Sequence, residues 1–423
     1  MFMTSPHEED ARCPLRRNRA RSTRKRLRVL VIMSGTTILG RDLVVESDIN
    51  QLGALATRGH DVKCILPKKF NSSTRKSPVK SLVLESLTVR RDTPLLSLLV
   101  FQLFAFWKVV RSFKRFDAII FHVYALPIVF PILIIMRKLD PLPALILRVP
   151  TNPVDTGWLV RRFMIHGIYK ISIMLAARVF DRILFLSPMM SNFYMSQLRI
   201  PKEKVGEWPS ALDFHLFDPR HVNAAEVNSL RKKFGSTGRL RVLYHGSLTK
   251  SRGLVELVDA FIILKKRRGV KATLALLGDG PAKAFLQRYV RTKSLDDSVQ
   301  FFGPVAYSNV PSYIAASDVG ISPLPIHPWW QYQIPTKVLE CLAMNRPLIV
   351  SDIPAHRYIL GRAPVALYLK ENTAHGIAEG ISEFQANRRR FKPNMGRTIA
   401  ERFSIEKTAT MLELEISSVL TSH

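Results

Sequence analysis

The sequence predicts an α/β protein of two Rossmann-like domains facing a central cleft. Three observations carry that expectation. Short apolar runs alternate with helix-length periodic segments, the alternation breaks once near residues 209–219, and it then begins again. A chain of 423 residues is long enough for two domains that each bury a core.

In the first series, residues 29–33 read as a buried strand. The apolar stretch that includes them, 27–33, is short for a secretory signal and lacks a small-residue cleavage site. A helical segment follows at 44–57, then Gly59-His60-Asp61 turns the chain into a strand at 62–66. Further strands are expected at 118–121 after Asp117, at 145–149, and at 182–186 before Ser187-Pro188. Between Pro209 and Pro219 turn-forming residues replace the periodicity, which suits a crossing between domains. The second series has strands at 240–244, 272–277, 299–302 and 319–322, with helices at 253–266 and 282–293. The expected divisions are a basic disordered tail at 1–26, domains at 27–210 and 211–400, and a C-terminal helix at 401–423 that packs back toward the first domain.

The formal charge is +30 and lies mostly in the first half, where residues 1–210 hold 34 Lys+Arg against 15 Asp+Glu. Such a field attracts nucleic acid, an anionic membrane face or phosphorylated substrates. The densest run, from Arg12 to Arg28, has almost no apolar residues and reads as disordered. No nucleic-acid motif accompanies the charge, so nucleic acid is not an expected partner. Apolar stretches at 95–107 and 125–136 fall short of the ~20 residues that span a bilayer. Gln102, Pro127 and Pro131 also interrupt them, so buried or interfacial helices are expected. Cys13, Cys64 and Cys341 are scattered, without disulfide or metal-ligand spacing. A reducing, cytoplasmic setting follows, with peripheral contact at the inner face of the membrane.

Four features of the second series fall where strand ends should meet the cleft. The first is Tyr244-His245-Gly246-Ser247, followed by Lys250 and Arg252-Gly253; Gly246 lets an anion approach the backbone and Arg252 supplies a cation. The second is Gly278-Asp279-Gly280-Pro281, a tight turn with proline suited to the first helical position. The third is Phe302-Gly303-Pro304-Val305, whose backbone suits a flat base. In the fourth, Pro335 or Thr336 opens a helix whose free N–H groups suit an anion, Lys337 adds charge in the first turn, and Glu340 lies one turn on. The Glu340 carboxylate suits sugar hydroxyls. Asn345 then stands where the helix must end in a left-handed conformation.

These blocks, with Ala316-Ser317-Asp318, resemble in order the donor domain of the group 1 (family 4) glycosyltransferases of GT-B architecture. The likeness covers residues 240–360. The first half is similar more loosely, through Arg58-Gly59-His60-Asp61-Val62, Asp117 with His122, Asp181-Arg182-Ile183 and Ala211-Leu212-Asp213. The resemblance implies an acceptor-side first domain and a nucleotide-sugar donor domain after it. It implies that Arg252 and Lys337 bind the donor pyrophosphate, that Glu340 binds the ribose, and that His122 lies near the transferred sugar. Gly246, Ser247, Lys250, Gly278, Gly280, Val305, Pro335 and Thr336 complete the expected donor site. Such enzymes usually retain anomeric configuration and need no metal, so no cofactor is expected besides the nucleotide-diphosphate sugar.

Three departures stand out, the first being Gly246-Ser247 where the family often has Gly-Arg or a similar pair, so that phosphate binding is expected to lean on Lys250 and Arg252 together. Family members commonly carry a glutamate eight positions before the ribose glutamate; here Tyr332 stands there, so Tyr332, Gln331 or Gln333 is expected to meet the sugar with neutral hydrogen bonds. The glycine-rich loop usual after the first strand is reduced to Gly35 and Gly40. The leading expectation is hexose transfer from a UDP- or GDP-linked donor to a lipid-linked or polysaccharide-precursor acceptor. A catalytically inert nucleotide-binding subunit and a sugar-nucleotide epimerase are the alternatives.

Overall fold

The computed structural model describes residues 26–33, 42–67, 82–87, 94–123, 133–135, 137, 143–151, 159–235, 238–267, 270–327 and 330–422. The basic run before residue 26, Cys13, Gly35, Gly40 and most of the apolar stretch 125–136 lie outside them.

The first domain is a parallel sheet of β1 (Arg28–Ile32), β2 (Asp61–Pro67), β3 (Leu82–Leu87), β4 (Ala118–His122), β5 (Ala144–Val149), β6 (Arg182–Phe185) and β7 (Val205–Glu207), in the order β3-β2-β1-β4-β5-β6-β7. Every residue of β4 and β5 is buried, as expected of strands covered on both faces. On one face pack α2 (Pro94–Ser112), α3 (Leu159–Val179) and α4 (Pro188–Leu198), through Phe101, Ile173 and Tyr194. On the other packs α1 (Asp42–Thr57).

The second domain is a parallel sheet of β8 (Leu240–His245), β9 (Ala272–Leu277), β10 (Val299–Gly303), β11 (Val319–Ser322), β12 (Leu348–Ser351) and β13 (Ala366–Leu369), in the order β10-β9-β8-β11-β12-β13. Its helices are α5 (Ala224–Phe234), α6 (Leu254–Lys266), α7 (Lys283–Thr292), α8 (Val310–Ala316), α9 (Thr336–Ala343), α10 (Pro354–Leu360), α11 (Ala374–Ala386) and α12 (Asn394–Ala400). In each sheet the order reverses beside the first strand, between β1 and β4 and between β8 and β11. Open α/β sheets bind ligands at that switch, off the carboxyl ends of the strands.

The chain crosses between domains twice. After β7, Trp208 is fully buried and donates from Nε1 to Gln51 Oε1 at 2.8 Å. On the return, Leu212 N donates to Phe403 O at 2.8 Å, beside a parallel bridge between Leu212 and Ser404. Ser404 caps the last helix, α13 (Ile405–Thr421). The helix buries Leu412, Ile416 and Val419 in the same cluster as Val29, Val31 and Trp208 of the first domain. Arg58–Glu413 at 2.8 Å and Arg182–Glu415 at 2.7 Å tie it there.

The sequence reading misses β3, β7, β12 and β13. They span three to six residues, much like the strands the reading found, and only pairing within the sheet marks them as strands. The apolar stretch 95–107 lies within α2. Among the described residues no helix is long and apolar enough to cross a membrane.

Candidate active site

A cavity of about 520 Å³ opens between the domains. Pro150, Thr151, Leu186 and Ser210 line it from the first domain, and the ends of β8 and β9 with the start of α9 line it from the second. Three sequence blocks converge because parallel strands end on the same side. Gly246 N donates to Leu277 O, and Gly278 N to Gly303 O, each at 2.9 Å, so the loops after β8, β9 and β10 lie side by side. Gly278 has φ +136, and a Cβ there would sit 2.1 Å from Gly246 O. The glycine is therefore required by backbone packing as well as by any ligand.

Among the expected donor-site residues, Gly246, Ser247, Arg252, Gly278, Val305, Pro335, Thr336, Lys337 and Glu340 all line this cavity. Pro335 is the N-cap residue of α9, and Asn345 beyond its end has φ +52. Lys337 is buried, its Nζ lies 3.6 Å from the centroid of the Tyr244 ring, and it has no hydrogen-bond partner among the described residues. Burial, then repulsion from Arg252, holds its amine well below the ordinary lysine value. The Arg252 guanidinium stands 4.6 Å from the Trp330 ring centroid. Arg252 and the Lys337 amine thus face one cavity, in which Glu340 is the acidic side chain among the lining residues.

Glu340 is buried and engaged at both oxygens. Oε1 accepts from the Tyr307 hydroxyl at 2.9 Å, and Oε2 pairs with His245 Nε2 at 2.6 Å. Burial, then the carboxylate beside it, raises the Tyr307 phenol well above its ordinary value, so it remains a donor. The carboxylate is thereby oriented before any ligand arrives. His245, Thr249, Pro304, Tyr307, Trp330 and Gln333 also line the cavity. Of these the sequence reading gave a role only to Gln333, as one of three residues expected to meet the sugar, although His245 and Pro304 adjoin the glycines of two blocks it quoted.

Four expected site residues stand elsewhere. His122 at the end of β4 is fully buried and does not line the cavity; its Nε2 lies 3.5 Å from Asp48 Oδ2, within a group completed by Arg148. Burial, then Arg148, pushes its imidazole down to about 3. Lys250 turns away, with Nζ 4.0 Å from the Phe285 ring centroid. Gly280 is packed on backbone, where a Cβ would meet Leu248 O at 2.4 Å. Tyr332 faces the first domain: its ring stacks on Phe193 at 5.0 Å, and its carbonyl accepts from Ser187 Oγ at 2.6 Å. That side chain bridges the domains, and it is the neighbouring Gln333 that reaches the cavity.

Residues 239–387 match the family described as Glycosyl transferases group 1. Among curated proteins, the chain is 29% identical over 124 residues to alpha-D-kanosaminyltransferase of Streptomyces kanamyceticus, covering 29% of this chain and 31% of that one. It is 24% identical over 215 residues to the GDP-mannose-dependent alpha-(1-6)-phosphatidylinositol dimannoside mannosyltransferase of Mycobacterium tuberculosis, covering 51% and 52%. The chain thus matches about half or less of the length of these relatives. Among solved structures, a glycosyltransferase from Rickettsia africae superposes with TM-score 0.69 at 14% identity, over 94% of this chain and 100% of that one. Anabaena HepE in complex with UDP gives 0.67 at 16%, over 93% and 100%. The chain therefore has the GT-B fold, and residues 239–387 of its second domain match the group 1 glycosyl transferases.

Proposed function

We propose that the protein is a glycosyltransferase that moves a hexose-type sugar from a UDP- or GDP-linked donor to a lipid-linked or polysaccharide-precursor acceptor. The observation that carries this reading is the unpartnered Lys337 amine beside Arg252 in the interdomain cavity, one helical turn from the oriented Glu340 carboxylate. A nucleoside diphosphate complements that arrangement. Its phosphates would compensate the two cations, and its ribose hydroxyls would meet Glu340, whose oxygens can each accept a further bond.

As the sugar–phosphate bond breaks, negative charge grows on the departing diphosphate. Arg252 and the Lys337 amine, protonated once a diphosphate is bound, stabilise that charge from fixed positions. Transfer on this reading is metal-independent and retaining. The solved HepE complexes with UDP and UDP-glucose support the nucleotide part. The relatives named for teichuronic acid biosynthesis and for a phosphatidylinositol dimannoside support the acceptor class.

A second reading is an inert nucleotide-binding subunit, favoured by the positions of Tyr332 and His122 away from the cavity. Calorimetry with UDP, GDP and their sugars, paired with an assay for released nucleoside diphosphate in the presence of membrane extract and EDTA, separates the two. Binding and release support transfer. Binding without release across the donor panel supports the inert subunit, and donor isomerisation without acceptor would point to an epimerase.

A further inference from the structure

Helix α2 is apolar on both sides. Phe101, Ala105 and Val109 are buried against the first sheet. Val100, Leu103, Trp107 and Val110, at spacings of three and four, form a second stripe that faces solvent, with Leu103 and Trp107 each 48% exposed. A helix on the surface of a soluble protein ordinarily turns charge outward there. Helix α3 repeats the arrangement, with Ile173 and Ala176 inward and Ile171 and Met174 outward. So does the turn at 133–135, with Leu133 inward and Ile135 57% exposed. All three segments cover the same face of the sheet, so their outer residues look out from one side of the domain.

Basic residues dominate the charge around this apolar surface. Residues 94–116 and 159–179 contain no Asp or Glu, while Lys108, Arg111, Lys114, Arg115, Lys170 and Arg178 lie among them. Arg111 and Lys108 sit 5.1 Å and 5.7 Å from the Trp107 ring centroid. Lys108 is also paired with Glu85 of β3 at 3.2 Å, so Arg111 is the closer and less compensated neighbour. Two copies of this chain meeting through this face would oppose like charges.

We propose that this face docks on an anionic lipid bilayer, with the Leu103–Trp107 stripe in the headgroup region and the basic residues on the lipid phosphates. Such a surface lies on the membrane and does not span it, in keeping with the absence of a spanning helix among the described residues. The inference deepens the transferase reading and rests on it for its use: a lipid-linked acceptor would be met at this surface. Tyr332, packed against the same cluster, connects the face to the cleft loop.

The test is co-sedimentation of the full chain with vesicles of phosphatidylcholine alone and of equimolar phosphatidylcholine and phosphatidylglycerol, with UDP calorimetry on every variant. The chain should pellet with the anionic vesicles only. The pairs Leu103→Gln with Trp107→Gln, and Arg111→Glu with Lys114→Glu, should each weaken partitioning by more than about tenfold. Trp107→Phe should retain it, and UDP binding should be unchanged throughout. A chain that ignores both vesicles overturns the proposal, as do variants that bind like the parent or a dimer that the Gln pair dissolves. Vesicle binding without UDP binding in the parent chain would sink the transferase reading and leave the docking face standing.

Discussion

Lys337 Nζ lies 3.6 Å from the centroid of the Tyr244 ring, with no hydrogen-bond partner among the described residues. Burial, and then Arg252, disfavours the protonated form of this amine more than the ring face and Glu340 favour it. Gly246 adjoins it: a Cβ there would stand 3.6 Å from Nζ, an ordinary contact, and it is the backbone at φ +121 that calls for glycine. The arrangement makes sense if an anion completes it, and the first two predictions follow from that.

Lys337→Met is expected to abolish transfer and to weaken UDP binding by about 2 kcal/mol, roughly thirtyfold, the scale of a charge-assisted hydrogen bond. The same change should raise the melting temperature of the unliganded protein, because it removes a buried polar group that has no hydrogen-bond partner among the described residues. Calorimetry and thermal unfolding read the two effects. Unchanged UDP affinity would remove Lys337 from the site.

UDP binding should take up a proton. The free amine sits well below its ordinary 10.5, and a bound diphosphate raises it. Between those two values the complex holds more protons than the free protein. Affinity is therefore full below the free-state value and falls as pH rises toward the bound-state value. Calorimetry in two buffers of different ionisation enthalpy, above the phosphate's own titration near about 6, measures the uptake. Equal heats in both buffers would contradict the assignment.

Glu340→Ala leaves two buried donors, Tyr307 Oη and His245 Nε2, without their acceptor. It should cost about 1–3 kcal/mol in urea unfolding and lower UDP affinity as well. Tyr307→Phe removes only one bond and should cost about 1 kcal/mol, with the larger effect on nucleotide affinity. If Glu340→Ala binds UDP normally, the ribose assignment is wrong.

Tyr332→Phe should leave transfer unchanged, because the ring packs on Phe193 and only the main-chain carbonyl receives the Ser187 hydroxyl. Tyr332→Ala loses the stack between domains, worth about 0.5–1.5 kcal/mol beyond its area, and should impair transfer by loosening the cleft. A tenfold loss in Tyr332→Phe, on the scale of about 1.4 kcal/mol, would instead mean that its hydroxyl reads the sugar.

Acid should destabilise the fold above the usual carboxylate range. Burial pushes His356 down to about 4 and His122 down to about 3, so both are neutral in the native state. Their unfolded values lie near the ordinary 6.5. Between the two values the unfolded chain holds more protons; stability is full above the unfolded value and is lost as pH falls toward the folded one. Burial raises Asp48, which opposes this trend at the acid end of the window. His356, held by Ser351 O at 2.7 Å and by Ser322 Oγ at 3.2 Å, should contribute at most about 3 kcal/mol. Urea midpoints from about pH 7 to about pH 4 should decline, and His356→Asn should flatten the decline.

Much of this was legible in the sequence, and for a local reason. Alternating apolar runs and helix-length segments specify parallel sheets, because each such segment must bury one face. The glycines after β8 and β9 and the proline before α9 mark strand-to-helix turns, so the blocks at 244–253, 277–281 and 335–340 were readable as neighbours in a cleft. What the tertiary structure alone decided is how charge and solvent are distributed. Glu340 gains its two partners from 95 and 33 residues away. Lys337 loses its water to the Tyr244 ring, His122 joins Asp48 and Arg148 in the core, and Tyr332 is claimed by Phe193 of the other domain. Desolvation and partnership arise from long-range packing, which leaves no periodicity along the chain.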